Sequence, residues 1–178
     1  LIGAAVTDGK QDIALVTRNG LAMRFEEDEV RATGRVSAGV KGISLRPDDE
    51  VVDMVVLKEE GTLLTISENG YGKRTPMSAY RLQSRDGVGI ITIKTNDRNG
   101  EVVGARLVSE SDDLLVISSN GYMTRMAVSD IRAIGRNTQG VRIMSLQENE
   151  RIQGIARLPK DEDDEVNRQE KAIEAEES

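Results

Sequence analysis

The sequence predicts an all-β fold of repeated four-stranded units, and three observations predict it. First, a glycine-punctuated stretch occurs three times: Gly34 to Leu45, a shorter version from Ser84 to Ile93, and Gly135 to Leu146. Each copy has a small residue, an arginine, a short polar loop, Gly-Val or its near equivalent, and an apolar run. That is the pattern of a loop feeding a buried strand, because glycine allows a tight bend and β-branched residues suit a sheet. Second, Asn-Gly recurs at Asn19-Gly20, Asn69-Gly70 and Asn120-Gly121, with spacings of 50 and 51 residues. Third, an apolar strand-like run flanks each Asn-Gly on both sides.

Taken in order, each unit opens with an apolar strand: Ile13 to Val16, Leu63 to Ile66, Leu114 to Ile117. The Asn-Gly turn then leads to a second strand at Leu21 to Phe25, Tyr71 to Thr75 and Tyr122 to Met126. Asn-Gly between such runs predicts a hairpin with a type I′ turn. A short helical turn follows, opened by a capping residue (Asp28, Ser78 or Ser129) and held by one apolar side chain. The Gly-Val strand comes next. A fourth strand closes the unit at Val51 to Leu57, Val102 to Val108 and Ile152 to Leu158. Residues 1–7 read as the last strand of a preceding unit, since Ile2-Gly3-Ala4-Ala5 matches Val103-Gly104-Ala105-Arg106. The divisions are therefore 1–7, blades at 8–57, 58–108 and 109–160, and an acidic tail at 161–178 that should lack order. Four-stranded units of this length suggest propeller blades, and closed propellers have roughly four to eight. Three cannot close such a ring, so a larger disc is expected.

Composition narrows the chemistry. The 178 residues include no cysteine and no histidine, which removes disulfides, thiol chemistry, the usual metal ligand and the usual neutral-pH base. No apolar run approaches the ~20 residues of a membrane span, and the opening residues lack a basic leader. A cytoplasmic, non-membrane setting is expected. The net charge of -7 lies in the tail: residues 161–178 carry nine acids and two bases, and residues 1–160 carry 22 of each. A balanced body can still display a basic stripe. No Ser/His/Asp set, carboxylate pair with a cleft, P-loop or metal cluster is legible, so no catalytic or metal residues are assigned. Tyr71, Tyr80 and Tyr122 read as core or edge packing.

Basic residues repeat as faithfully as the strands. Five residues after each Asn lie Arg24, Arg74 and Arg125; twelve after lie Arg31, Arg81 and Arg132; sixteen after lie Arg35, Arg85 and Arg136. Lys41 and Arg142 follow Gly-Val, and Lys73 adjoins Arg74. Around an axis, equivalent positions trace an arc, and guanidinium groups on that arc form a rim suited to phosphate. The first set lies on a strand and reads equally well as ion pairs that hold the fold. The loop set at sixteen reads as phosphate contact.

The run Asn69-Gly70-Tyr71-Gly72-Lys73-Arg74-Thr75, the segment Gly135-Arg136-Asn137-Thr138-Gln139-Gly140-Val141 and the roughly fifty-residue period together resemble the C-terminal domains of bacterial DNA gyrase A subunits. The likeness spans about residues 1–158, and the acidic tail is similar to that family's end. The resemblance implies a six-bladed β-pinwheel whose blades exchange strands, this chain supplying three complete blades of the six plus the tail. It implies non-sequence-specific binding, bending and chiral wrapping of duplex DNA in support of ATP-dependent negative supercoiling. The implied partners are duplex DNA, the rest of the gyrase A polypeptide and the ATPase subunit in an A2B2 assembly. ATP and magnesium are implied for the whole enzyme, with no cofactor in this segment. The family's cleavage tyrosine, its metal-binding acids and its glycine-rich basic heptapeptide match nothing here. Two alternatives stand beside this reading: the C-terminal domain of the corresponding topoisomerase IV polypeptide, and a propeller that serves as a protein-interaction scaffold. The tail could compete with DNA for the basic rim.

Overall fold

The structure is a computed structural model that describes residues 1–57 and 61–160. The acidic tail lies outside the described residues. The first repeat contributes β1 (Asp12–Thr17), β2 (Leu21–Glu26) and β3 (Val51–Leu57). The second contributes β4 (Thr62–Ser67), β5 (Tyr71–Pro76), β6 (Ile90–Ile91) and β7 (Val102–Val108). The third contributes β8 (Asp113–Ser118), β9 (Met123–Ala127), β10 (Val141–Arg142) and β11 (Ile152–Leu158). Every pairing between these strands is antiparallel. The first, second and fourth strands of each repeat fall where hydrophobic patterning puts them.

The third strand behaves differently. The sheets run β3-β1-β2-β6, β10-β5-β4-β7 and β11-β8-β9. The Gly-Val strand thus leaves its own repeat and completes the sheet of the repeat before it. Ile91 pairs with Leu21, and Arg142 pairs with Tyr71. The first copy, Gly34 to Leu45, forms no strand, although Ile43 is buried against Ile13, Met23 and Phe25. The edge of β9 receives no strand among the described residues. Residues 1–7, expected as a strand, also pair with none, and Leu1 and Val6 are fully exposed. A strand needs a partner for its N–H and C=O groups, and no neighbouring strand is offered there.

The hairpins form, but not with the expected turn. Among the non-glycine residues with positive φ, the three asparagines are missing, whereas Gly20, Gly70 and Gly121 have φ of 81°, 82° and 80°. Each glycine N–H returns to the last residue of the preceding strand: to the carbonyls of Thr17, Ser67 and Ser118 at 3.0, 3.2 and 3.0 Å. The first two loops have three residues and end in a left-handed glycine, and in the third Tyr122 follows the left-handed glycine before β9 begins; this geometry needs glycine at one position rather than two. The helical turns are 3-10 turns at Glu27–Glu29, Met77–Ala79 and Val128–Asp130. No side chain caps them; Asp28, Ser78 and Ser129 lie inside the turns.

The apolar faces of the sheets stack. One core joins Ala14, Val16, Ala22 and Val55 of the first sheet to Leu63, Val102 and Ala105 of the second, with Met77, Tyr80 and Ile93 between them. The next joins Leu64, Ile66 and Val108 to Leu114, Val116, Ile152 and Ile155, with Val128 and Ile131 between. At roughly 1.5–3 kcal/mol for each fully buried Val, Leu or Ile, this packing is the main force holding the blades together. β3, β7 and β11 pack side by side, which sets them at the inner end of their sheets. The exchanged strands β6 and β10 are the outermost.

Candidate nucleic-acid interface

The segments that follow the 3-10 turns, two of which lead into the outer strands β6 and β10, carry eight of the twelve repeated basic residues. The structure sorts these residues into three groups.

Two are built into the interior and a third, Arg24, is half-buried between repeats, contrary to the reading of them as DNA contacts. Lys73 is fully buried. Arg74 is also buried: its Nε donates to the Ile131 carbonyl at 2.6 Å, and its other nitrogens reach Glu110. Arg24 donates to Asp12 at 2.7 Å and to the carbonyls of Tyr80 and Met77 at 3.0 and 3.3 Å. Arginines at this position therefore clasp the 3-10 turn of the following repeat. The clasp supplies a donor to the carbonyls of the buried residues Tyr80 and Ile131, while the Met77 carbonyl also accepts from the Tyr80 N–H. Arg125 keeps the matching carboxylate, Asp113, at 2.7 Å, but its side chain is 56 % exposed. Asp12 and Asp113 both lie twelve residues before their arginine. The second repeat has Thr62 there, so Glu110 takes the role. Arg125 and Lys160 hold the Asp113 carboxyl below the ordinary aspartate range, Arg125 having the larger effect.

Two more are paired at the surface, as Arg125 is. Arg85 donates to the Lys41 carbonyl at 2.9 Å and lies 3.9 Å from Glu29. Lys41 pairs with Asp86 at 2.8 Å. Hydrogen bonds from Lys41 and then Ser44 hold the Asp86 carboxyl below its usual range.

The remaining residues are available. Arg31, Arg35, Arg81, Arg132 and Arg142 are exposed, and none of them, nor Arg136, is in an ion pair among the described residues. Arg136 donates to the Ile91 carbonyl at 2.8 Å, which leaves other guanidinium donors for a ligand. It shares a cleft with Arg46, Ile91 and Asn137.

The structure also shows a basic site that the repeat pattern does not reveal. Arg98 and Arg142 lie over the Tyr71 ring, 4.9 and 5.4 Å from its centroid. Both donate to its hydroxyl, at 3.3 and 2.8 Å, and these bonds lower the phenol's pKa, Arg142 first. One ring thus orients two guanidinium groups, neither of which has a carboxylate partner among the described residues. Arg98 lies 29 residues after Asn69, where the other repeats have Asp48 and Asn149. A search for recurring residues passes over it.

No group of three or more metal-ligating side chains occurs among the described residues, and no helix there is long and apolar enough to cross a membrane. The arrangement is that of a strand-exchanged, propeller-like protein with basic side chains along its outer strands and loops.

The chain belongs to the family described as "DNA gyrase C-terminal domain, beta-propeller", whose model matches residues 11–58, 61–109 and 112–159. It is 44% identical over 165 residues to the DNA gyrase A polypeptide of Salmonella typhimurium, covering 93% of this chain and 19% of that protein. Against the solved structure of a DNA gyrase A C-terminal domain, the TM-score is 0.81 at 29% identity, covering 86% of this chain and 52% of that one. A DNA topoisomerase IV C-terminal domain also gives 0.81, at 25% identity, with 86% and 48% covered. The chain spans about a fifth of the length of the curated relatives it matches.

Proposed function

We propose that this chain binds, bends and wraps duplex DNA without reading its sequence, as the C-terminal part of a gyrase A polypeptide. The observation that carries this is the set of arginines that form no ion pair among the described residues, at equivalent places in successive repeats: Arg31, Arg81 and Arg132, with Arg35 and Arg136. Repetition gives a regular spacing of positive charge, which matches a polymer of regularly spaced phosphates. Bending a 20–30 bp site costs on the order of 1–6 kcal/mol, so many such contacts must act together. Arg98 and Arg142 on Tyr71 add a paired guanidinium site to the same surface.

In the whole enzyme this module would hand a wrapped segment to the remainder of the gyrase A polypeptide. The ATPase subunit, in an A2B2 assembly, would then drive negative supercoiling. ATP and magnesium would act in those other parts, and this segment supplies no catalytic group. With duplex DNA as partner, we place the protein in the cytoplasm. The test is duplex binding against salt concentration for Arg31→Ala/Arg81→Ala/Arg132→Ala. Affinity should fall about equally for all sequences, and the slope of log K against log salt should flatten by roughly 0.9 for each phosphate no longer neutralised. An unchanged slope refutes the reading.

A second reading, the topoisomerase IV counterpart, has the same TM-score behind it at lower identity, 25% against 29%. Supercoiling assays of the complete enzyme separate the two. Gyrase introduces negative supercoils into relaxed DNA, whereas the counterpart would not.

A further inference from the structure

Lys73 is the largest fully buried side chain in the described structure, yet it carries a titratable ammonium. In the first repeat the same place, four residues after the asparagine, is held by Met23, which is also fully buried. Met23 lies under Gly87 of the loop that presents Arg85. Lys73 lies under the equivalent loop of the third repeat. Its Nζ donates to the carbonyls of Gly135 and Arg136 at 2.7 and 2.8 Å and to Thr75 Oγ1 at 3.1 Å. Thr75 Oγ1 in turn donates to the Ile134 carbonyl at 3.0 Å. Three consecutive carbonyls, 134 to 136, are therefore anchored by Lys73 and its hydroxyl partner.

We propose that Lys73 is a positioning residue for DNA binding: its ammonium fastens the 134–136 backbone and thereby aims the Arg136 guanidinium at phosphate. The inference rests on the DNA-wrapping reading for its consequence, though not for the anchoring itself. An ammonium has three N–H groups and here meets three acceptors. A neutral amine keeps two donors, enough for the Gly135 and Arg136 carbonyls, and its lone pair can accept from the Thr75 hydroxyl, which then leaves the Ile134 carbonyl. The fastening of residues 135 and 136 therefore survives loss of one proton, whereas a methionine, as at Met23, has no donor to supply it.

The surroundings make that proton easy to remove. Burial first, and the Arg136 charge second, lower the Lys73 pKa to about 8. Arg136 is the charged group facing it from the exchanged loop. Tyr80, from the 3-10 turn, reaches Thr92 at 2.6 Å, and burial raises its pKa, so it stays protonated in this range. β4 offers Thr65, which does not titrate, opposite Lys73. Arg74 and Glu110 pair from the neighbouring position, on the alternate face of β5. By linkage, opening of the loop that exposes Lys73 to water should be favoured below pH 8 and suppressed above it, while ordinary lysines, with pKa near ~10.4, keep their charge.

The experiment uses the full 178-residue chain as wild type, Lys73→Met, Arg136→Ala and the two combined, with a duplex of random sequence at constant ionic strength from pH 7 to pH 9.5. Lys73→Met, which takes the Met23 solution, should bind about three- to tenfold more weakly than wild type across this range, the scale of one charge-assisted contact. Combined with Arg136→Ala it should cost no further affinity. Equal affinity for wild type and Lys73→Met, or a full further loss in the Arg136→Ala background, overturns the proposal. A carbon-13 titration of the Lys73 side chain in wild type provides a readout that needs neither variant nor DNA. It should show a midpoint near 8, with amide exchange in residues 134–138 slowing as pH rises through that range after correction for intrinsic rates. A midpoint near ~10.4, or unchanged protection, also overturns it. If no form of the chain binds duplex at any pH, the DNA-wrapping reading fails, and the titration and exchange data still decide the anchoring.

Discussion

Replacing the turn glycines with alanine one at a time measures strand exchange directly. Gly20, Gly70 and Gly121 share one turn geometry and one φ near 80°, so alanine meets the same left-handed strain at each, about 1–2 kcal/mol. Their surroundings differ. A Cβ on Gly20 would overlap the Ile93 carbonyl oxygen, with the carbonyl carbon at 3.2 Å; on Gly70 it would overlap that of Met144, with its carbon at 3.3 Å. On Gly121 it would meet nothing within 4 Å. The carbonyls of Gly20 and Gly70 also receive N–H groups of the exchanged segment: Thr92 and Ile93 at the first, Ile143 and Met144 at the second. Forcing a methyl into such backbone contact adds about 1–3 kcal/mol. Gly121→Ala should therefore cost about 1–2 kcal/mol, and Gly20→Ala and Gly70→Ala about 2–5 kcal/mol. Urea or thermal unfolding of the three variants checks this. At about 2–4 °C per kcal/mol, Gly121→Ala should lower Tm by roughly 2–8 °C and the other two by visibly more. Equal losses at all three sites would mean that the third strand does not dock on the preceding hairpin.

Arg74→Ala should destabilise by about 2–4 kcal/mol, because it leaves the buried Ile131 carbonyl without its donor, whereas exposed Arg132→Ala should stay within about 0.5 kcal/mol in the same unfolding assay. Lys73→Met should alter the pH dependence of stability. The folded pKa of about 8 lies below the unfolded ~10.4, so the unfolded chain binds more protons between those values. Wild type should then gain roughly 3 kcal/mol relative to Lys73→Met as pH rises through that window, measured by urea midpoints. Asp86, Glu110 and Asp113 have lowered pKa values, so the stability they contribute is complete above about pH 4.5 and is lost as pH falls through their folded values; acid titration of the fold should show this loss. Cutting the chain after Lys160 removes a net charge of -7; tighter duplex binding with a steeper salt slope is the outcome if the tail competes for the rim.

Local patterning makes the first, second and fourth strands legible, because each buries an apolar face within a few residues of a turn signal. The third strand's address is not legible from the residues. Ile90–Ile91 and Val141–Arg142 look alike whether they pair at home or next door, and only the packing of Thr92 and Ile143 onto the preceding glycine decides. The resemblance to the gyrase family supplies that step. The type I′ expectation fails because Asn-Gly fits two hairpin geometries, and loop length selects between them. Among the basic residues, spacing locates the row and cannot see burial. Lys73 and Arg74 are adjacent charged residues on a strand, a pattern usually solvated, and here both face interiors created by the next repeat. Arg98 escapes a repeat-based reading because the equivalent positions hold Asp48 and Asn149, not basic residues.

Because the outer strand is always donated from downstream, the unit that duplicates in sequence is out of phase with the unit that folds. Deleting residues 109–160, a whole repeat by sequence, would strip β10 from the second blade and expose Tyr71, Gly72 and the apolar ground beneath them. The cut that spares a finished blade would fall inside a repeat, beyond its Gly-Val segment. Gain or loss of blades during evolution thus requires each junction to stay interchangeable, which gives a physical reason for the third strand and the turn glycine it covers to be so alike from one repeat to the next.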